Sequence, residues 1–295
     1  MSRAHRGFSL LAAGLTIAAS GPVAFAPLAH ASTGIPRPDH VLVVVLENEQ
    51  RAQIIGNPDA PYINSLADTG ANFTESYAIT HPSQPNYLAL YSGDTQGVTS
   101  DACPNTFDTD NLGQQLIAAN LSFTGYSEDL PSDDPTSCGS GGYARKHNPW
   151  VNFTNVPAED NQPFSNFPSD YSTLPTVFWV IPNLCNDMHD CSVSTGDSWL
   201  KNNLDGYVQW ANEHNSVLIT TFDEDDSNGT NQITTLFNGQ PVTPGSYDRT
   251  IDHYSVLRTV EDMYGLPYAG NAAQATSITN VWGSGTASEQ RRTRR

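Results

Sequence analysis

The stretch HVLVVVLENE, residues 40–49, decides the fold. Val41–Leu46 is an unbroken apolar run rich in valine, with no polar position to leave one face in water. A run of that kind reads as a strand covered on both sides. Ser122–Tyr126, Thr176–Ile181, Val217–Phe222 and Ile233–Phe237 read the same way. Between them, Tyr62–Asp68, Pro85–Tyr91, Leu112–Ala119, Ser198–Glu213 and Tyr254–Tyr264 carry helical patterns. Strands alternating with helices predict an α/β fold with a mostly parallel central sheet and helices on both faces. Ligands of such sheets bind at the carboxyl ends of the strands, so the residues just after each run are the candidates for chemistry.

Two strand exits carry oxygen ligands. Glu47-Asn48 follows the first run, and Asp223-Glu224-Asp225-Asp226 follows VLITTF. Four successive acids repel one another unless a cation or solvent separates them. An EF-hand loop counted from Glu224 finds Gly229 at its sixth position but Thr235 where a glutamate is needed, so that motif is rejected. A shared divalent cation is the chemical reading. A surface turn and a solvated acidic loop are the plain ones.

The segment ITHPSQPNYLALYSG, residues 79–93, holds Ser83 between two prolines at the start of a helical pattern. Taken alone, Ser83 reads as a helix cap. The same place, at the positive end of a helix, also suits a nucleophile facing a phosphoryl group, with Asn86 beside it. Neither G-x-S-x-G nor H-E-x-x-H occurs. His189, after TVFWVI, His253, opening the last helix, and His147, beside Arg145 and Lys146, are candidates for acid–base work or phosphate contact. His81 is expected to pack beside the Ser83 turn.

The 295 residues carry 13 Lys+Arg against 31 Asp+Glu. A leader over residues 1–31 is expected: Arg3 and Arg6, the apolar run Phe8–Ala19, and Ala29-His30-Ala31 form a charged region, a core and a cleavage site. Its removal leaves 11 − 31 = −20. That balance argues against nucleic-acid binding. No apolar run reaches the ~20 residues of a membrane span, so export without membrane insertion is expected. Cys185 and Cys191 are near neighbours in sequence, which predicts the pairs 185–191 and 103–138. Leu130–Ser172, rich in Pro, Asp, Asn and Ser, reads as a structured insertion or lid, and 284–295 as a polar, disordered tail.

Together VLENE, THPSQPNYLALYSG, YARKHNPWVNF, VIPN…DMHD, TFDEDD and DHYSVLRTVEDMYGLP resemble, in this order, the secreted bacterial acid phosphatases of the phosphoesterase family, within the alkaline-phosphatase-like superfamily. The resemblance implies a three-layer α/β sandwich and a catalytic domain over 32–283. It implies Ser83 as nucleophile and metal ligand, with Glu47, Asn48, Asp223 and Glu224 as further ligands. Asn86, Lys146 and His147 become phosphate-binding residues, and His189 and His253 the acid–base candidates. Two-metal members of the superfamily place an Asp-x-x-x-His pair after the third strand and an Asp-His pair after the fourth. Here those places read Asn183…His189 and Asp223-Glu224, which favours one divalent ion over two. The implied substrates are phosphate monoesters, a phosphoinositide headgroup among them. A phospholipase C-type diesterase uses the same nucleophile, and a noncatalytic, calcium-stabilised secreted binding protein is the reading from another class.

Overall fold

The computed structural model describes residues 34–283, besides Met1; the expected leader and tail lie outside the described residues. Eight strands form one sheet: β1 (His40–Leu46), β2 (Ala71–Phe73), β3 (Phe123–Ser127), β4 (Asn161–Pro163), β5 (Val177–Ile181), β6 (Ser216–Phe222), β7 (Thr235–Asn238) and β8 (Gly245–Tyr247). Their order is β8-β2-β7-β6-β1-β5-β3-β4. β7 runs antiparallel to both neighbours, and every other pairing is parallel.

The valine run sits at the centre, between β5 and β6, and is buried throughout. Val41, Val43 and Val45 face one core, and Leu42, Val44 and Leu46 face the other. The first core is closed by α2 (Ser83–Ser92), α3 (Leu112–Ala118) and α5 (His253–Tyr264). The second is closed by α1 (Pro61–Thr69) and α4 (Val193–Ala211). Burying apolar surface on both faces of a parallel sheet requires such helical layers, and gives the three-layer sandwich expected.

Two expectations change. Residues 130–172 do more than cover the molecule: Asn161–Pro163 pairs with β3 as the sheet's edge strand, and Trp150 packs into the first core. Ser83 is not the cap of its helix. Pro82 occupies the cap position, Ser83 is the first helical residue, and its hydroxyl is used elsewhere. Both disulfides pair as the spacing suggests, Cys103 with Cys138 and Cys185 with Cys191. Among the described residues no helix is long and apolar enough to cross a membrane.

Candidate active site

The carboxyl ends of β1, β5 and β6 and the N-terminus of α2 converge. Glu47 leaves β1 fully buried. Asn48 follows with φ 57°, a left-handed turn that asparagine tolerates better than most residues. Its N–H donates to Asp223 Oδ1 at 3.2 Å, tying the two strand exits together. Of the four acids after β6, Asp223 and Glu224 serve the site. Asp225 instead accepts from the N–H groups of Ser227 and Asn231 and shapes the loop, while Asp226 accepts from Gln50 and Gln53.

The Ser83 hydroxyl lies 3.0 Å from Glu47 Oε2 and 3.2 Å from Glu224 Oε1, the partners that capping would have denied it. Tyr87, one turn along α2, donates to Glu47 Oε1. His147 is buried, stacks on Tyr87, and stands between two carboxylates, Nε2 3.1 Å from Glu47 Oε1 and Nδ1 3.2 Å from Asp187 Oδ2. Neither contact has hydrogen-bond alignment, and His147 Nε2, Asp187 Oδ2 and Asp223 Oδ2 are left without hydrogen-bond partners.

Lys146 Nζ donates to Asp101 Oδ2 at 2.9 Å and lies 3.3 Å from His189 Nε2. His189 Nδ1 donates to Asp190 Oδ1 at 2.7 Å. Asp187 Oδ1 accepts from the His189 N–H at 2.8 Å. The loop between is held from below by Glu128. Its Oε2 accepts from Asn183 N and Asn186 Nδ2, both at 2.9 Å, and its Oε1 from Trp199 Nε1 at 3.0 Å. His81 Nδ1 meets Glu224 Oε2 at 2.7 Å, beside the Ser83 turn as expected.

Two candidates sit differently from their sequence-based roles. Asn86 is buried, and its Oδ1 accepts from Ile79 N and Thr80 N while Nδ2 donates to Thr80 O. It pins the 79–82 turn, and Nδ2 reaches the site through Glu224 Oε2 at 3.3 Å. His253 is also buried, with Nε2 2.7 Å from the Asp223 carbonyl. That nitrogen's proton is committed to the carbonyl, so through Nε2 His253 braces Asp223. The residues missed from sequence are Asp187, Asp101, Asp190 and Tyr87. Tyr87 shares a helix face with Ser83 at i+4 spacing, and Asp187 lay in the DMHD segment, so both had a local signal. Asp101 had none, because only the fold brings it to Lys146.

The electrostatics are one-sided. Burial, then Asp223 and Asp187, push the Glu47 carboxyl well above its ordinary range. Burial and Glu224 do the same to Asp223. Burial raises both Asp187 and Glu224 to about 7. Burial, with Lys146 and His189 adding to it, keeps the His147 ring neutral by moving its pKa well down. Burial opposes the Lys146 charge too, but Asp101, Glu47 and Asp223 outweigh it and raise that pKa. Five carboxylates, Glu47, Asp101, Asp187, Asp223 and Glu224, thus share one lysine. Buried carboxylates with unpaired oxygens are the donor set that a hard cation satisfies. The residues therefore fit a divalent ion. Glu47, His147 and His189 also each offer a ligand atom, all within 4.8 Å of one another.

Residues 47–267 match the phosphoesterase family, and the chain belongs to it; its members are hydrolases of phosphate esters. The chain is 49% identical over 289 residues to the phosphatidylinositol-3-phosphatase of Mycobacterium tuberculosis, covering 96% of each. It is 31% identical over 232 residues to the phosphate-repressible acid phosphatase of Penicillium chrysogenum, matching 70% of this chain but spanning 55% of that enzyme's length. In fold it resembles a protein of the alkaline phosphatase superfamily from Vibrio parahaemolyticus, with TM-score 0.58, 13% identity, 82% of this chain and 71% of that one. A phosphonate monoester hydrolase from Silicibacter pomeroyi aligns with TM-score 0.54 at 10% identity, over 84% of this chain and 78% of that one.

Proposed function

We propose that the protein is a secreted phosphomonoesterase that works through a phosphoseryl intermediate on Ser83. The observation that carries this is the Ser83 hydroxyl, 2% exposed at the start of α2, between Glu47 Oε2 and Glu224 Oε1. A hydroxyl merely capping a helix would turn to its own backbone. This one is aimed at two carboxylates that can take its proton, as a nucleophile's hydroxyl requires.

In the first half-reaction the Ser83 Oγ–P bond forms as the bond from phosphorus to the ester oxygen breaks. The seryl proton passes to Glu224 or Glu47. His189 Nε2 protonates the departing alkoxide, with Nδ1 held by Asp190 so that the other nitrogen faces the reaction. Lys146 balances charge on a nonbridging oxygen. In the second half-reaction water attacks phosphorus and the P–Oγ bond breaks. His189 takes the water proton, and Ser83 Oγ recovers its own from the carboxylate. Glu47, Asn48, Ser83, Asp223 and Glu224 would hold one divalent ion. When bound, it would lower the Ser83 pKa and neutralise phosphoryl charge.

The substrate class we infer is a phosphate monoester, a phosphoinositide headgroup included, supported by 49% identity to the mycobacterial phosphatidylinositol-3-phosphatase. We also infer that residues 1–31 direct export, that 32–283 form the catalytic domain and that 284–295 are a tail. The two disulfides suit an oxidising compartment. The test is release of inorganic phosphate from p-nitrophenyl phosphate by the wild type and by Ser83→Ala. Turnover is expected to drop by at least ~10³-fold while the melting temperature stays close to wild type. Ser83→Ala turnover near wild type would remove the assignment, and an inert wild type would favour the binding-protein reading.

A further inference from the structure

Lys146 faces two ways. Its Nζ lies 3.3 Å from His189 Nε2, and it also lines a cleft of about 490 Å³. The other walls include Asp101, Ser140, Leu184 and the Cys103–Cys138 disulfide. Lys146, and Asp101, whose Oδ1 accepts from the N–H of Gln84 next to Ser83, thus connect this cleft to the proposed reaction centre. We propose that the cleft is a leaving-group subsite for a cyclic polyol, with ring hydroxyls held by Asp101 and Ser140. The proposal rests on the phosphomonoesterase reading above.

The lining sets the chemical class. The disulfide and Leu184 give an apolar surface on which the C–H face of a saturated ring packs. The rim is the hairpin in which Gly139–Ser140 pairs with Tyr143–Ala144. Between Cys138 and Tyr143 its sequence is Gly-Ser-Gly-Gly, so Ser140 is the one side chain there beyond backbone. Gly141 turns the hairpin at φ 60°, where a side chain would be strained. The rim thus offers one exposed hydroxyl and close access to backbone.

Asp101 supplies the fixed acceptor. Its Oδ1 accepts from Gln84 N at 3.0 Å and its Oδ2 from Lys146 Nζ at 2.9 Å. These bonds immobilise a carboxylate whose side chain is still 31% exposed, leaving lone pairs for neighbouring hydroxyls. Because Gln84 follows the nucleophile, the same side chain reads the alcohol and braces the helix that carries Ser83. Aromatic leaving groups suit the cleft poorly. Its aromatic residue, Tyr143, is 2% exposed and offers no open face for stacking.

The ring can arrive free, as a cyclitol phosphate, or on a lipid, as a phosphoinositide headgroup. The test compares kcat/KM for myo-inositol 3-phosphate, glycerol 3-phosphate and phosphatidylinositol 3-phosphate in phosphatidylcholine vesicles. Each is measured with wild type and with Ser140→Trp, which fills the cleft from an exposed hairpin position. The ratio of inositol phosphate to glycerol phosphate is expected to fall at least ~tenfold in Ser140→Trp, and Ser140→Ala should give a smaller fall of the same sign. A ratio within about twofold of wild type in both variants overturns the subsite. A parallel fall on vesicles assigns the lipid headgroup to the cleft, and a fall confined to the free phosphate assigns the soluble ester. A wild type inert toward all three esters instead overturns the phosphomonoesterase reading itself.

Discussion

Replacing Asp187 by Asn should reveal how the site stores its negative charge. Asp187 is fully buried, accepts from His189 N through Oδ1, and leaves Oδ2 unbonded beside His147. Burial lifts its pKa from 3.8 to about 7. A carboxyl with a raised pKa in the folded state supports folding fully below its unfolded value, and loses that contribution as pH rises through the folded one. Integrating between these values, wild type loses about 3 kcal/mol from this group alone between pH 5 and pH 8. Asparagine keeps the Oδ1 acceptor and removes the charge. The measurement is thermal unfolding of both proteins in EDTA at the two pH values. The melting temperature of Asp187→Asn relative to wild type should gain roughly 6–12 °C between pH 5 and pH 8, at about 2–4 °C for each kcal/mol. A divalent cation that binds the folded chain should shrink this gain, because it favours the ionised carboxylates. A difference that stays flat or narrows as pH rises would rule out a raised Asp187 pKa in the folded protein.

Two further changes probe the frame around the site. A Cβ on Gly196 would lie 2.5 Å from Met188 Cγ and 2.9 Å from the Asn186 carbonyl, inside the loop that carries Asp187 and His189. Gly196→Ala should cost about 1–3 kcal/mol in chemical denaturation, and misplacement of His189 should lower kcat/KM for p-nitrophenyl phosphate about tenfold; wild-type kinetics would show that the loop is set independently of α4. Burial pushes the Glu261 carboxyl, bonded to Ala269 N in the first core, up to about 8. Wild type should therefore lose roughly 3 kcal/mol relative to Glu261→Gln between pH 5 and pH 8, with no dependence on added cation, and equal pH slopes in the two proteins would count against it.

The fold was legible because its central strand leaves no choice. A valine run with no polar position can only be buried on both faces, and the helical patterns between strands supply the cover. The strand-exit rule pointed to Glu47, Asn48, Asp223 and Glu224 as candidates without any knowledge of their contacts. Less legible was anything set by pairing across the chain. Asp101 meets Lys146 from 45 residues away, joined through a disulfide-bounded loop. Whether a histidine reaches the reacting group or braces it from behind depends on which nitrogen is occupied, as His253 on the Asp223 carbonyl illustrates. Taken alone, Ser83 reads as a cap, because Pro-flanked serines at helix starts usually are one. The competing acceptors, Glu47 and Glu224, lie 36 and 141 residues distant in sequence.

The central claim is the covalent intermediate on Ser83. The most direct measurement is a rapid acid quench of the protein during turnover of p-nitrophenyl phosphate, followed by peptide mapping by mass spectrometry, with His189→Gln used to slow hydrolysis of the intermediate. One added phosphoryl group is expected on the 79–93 segment, localised to Ser83, in step with the first turnover and enriched in His189→Gln. Turnover with Ser83 unmodified in both proteins, or a phosphoryl group carried by a histidine, would contradict it.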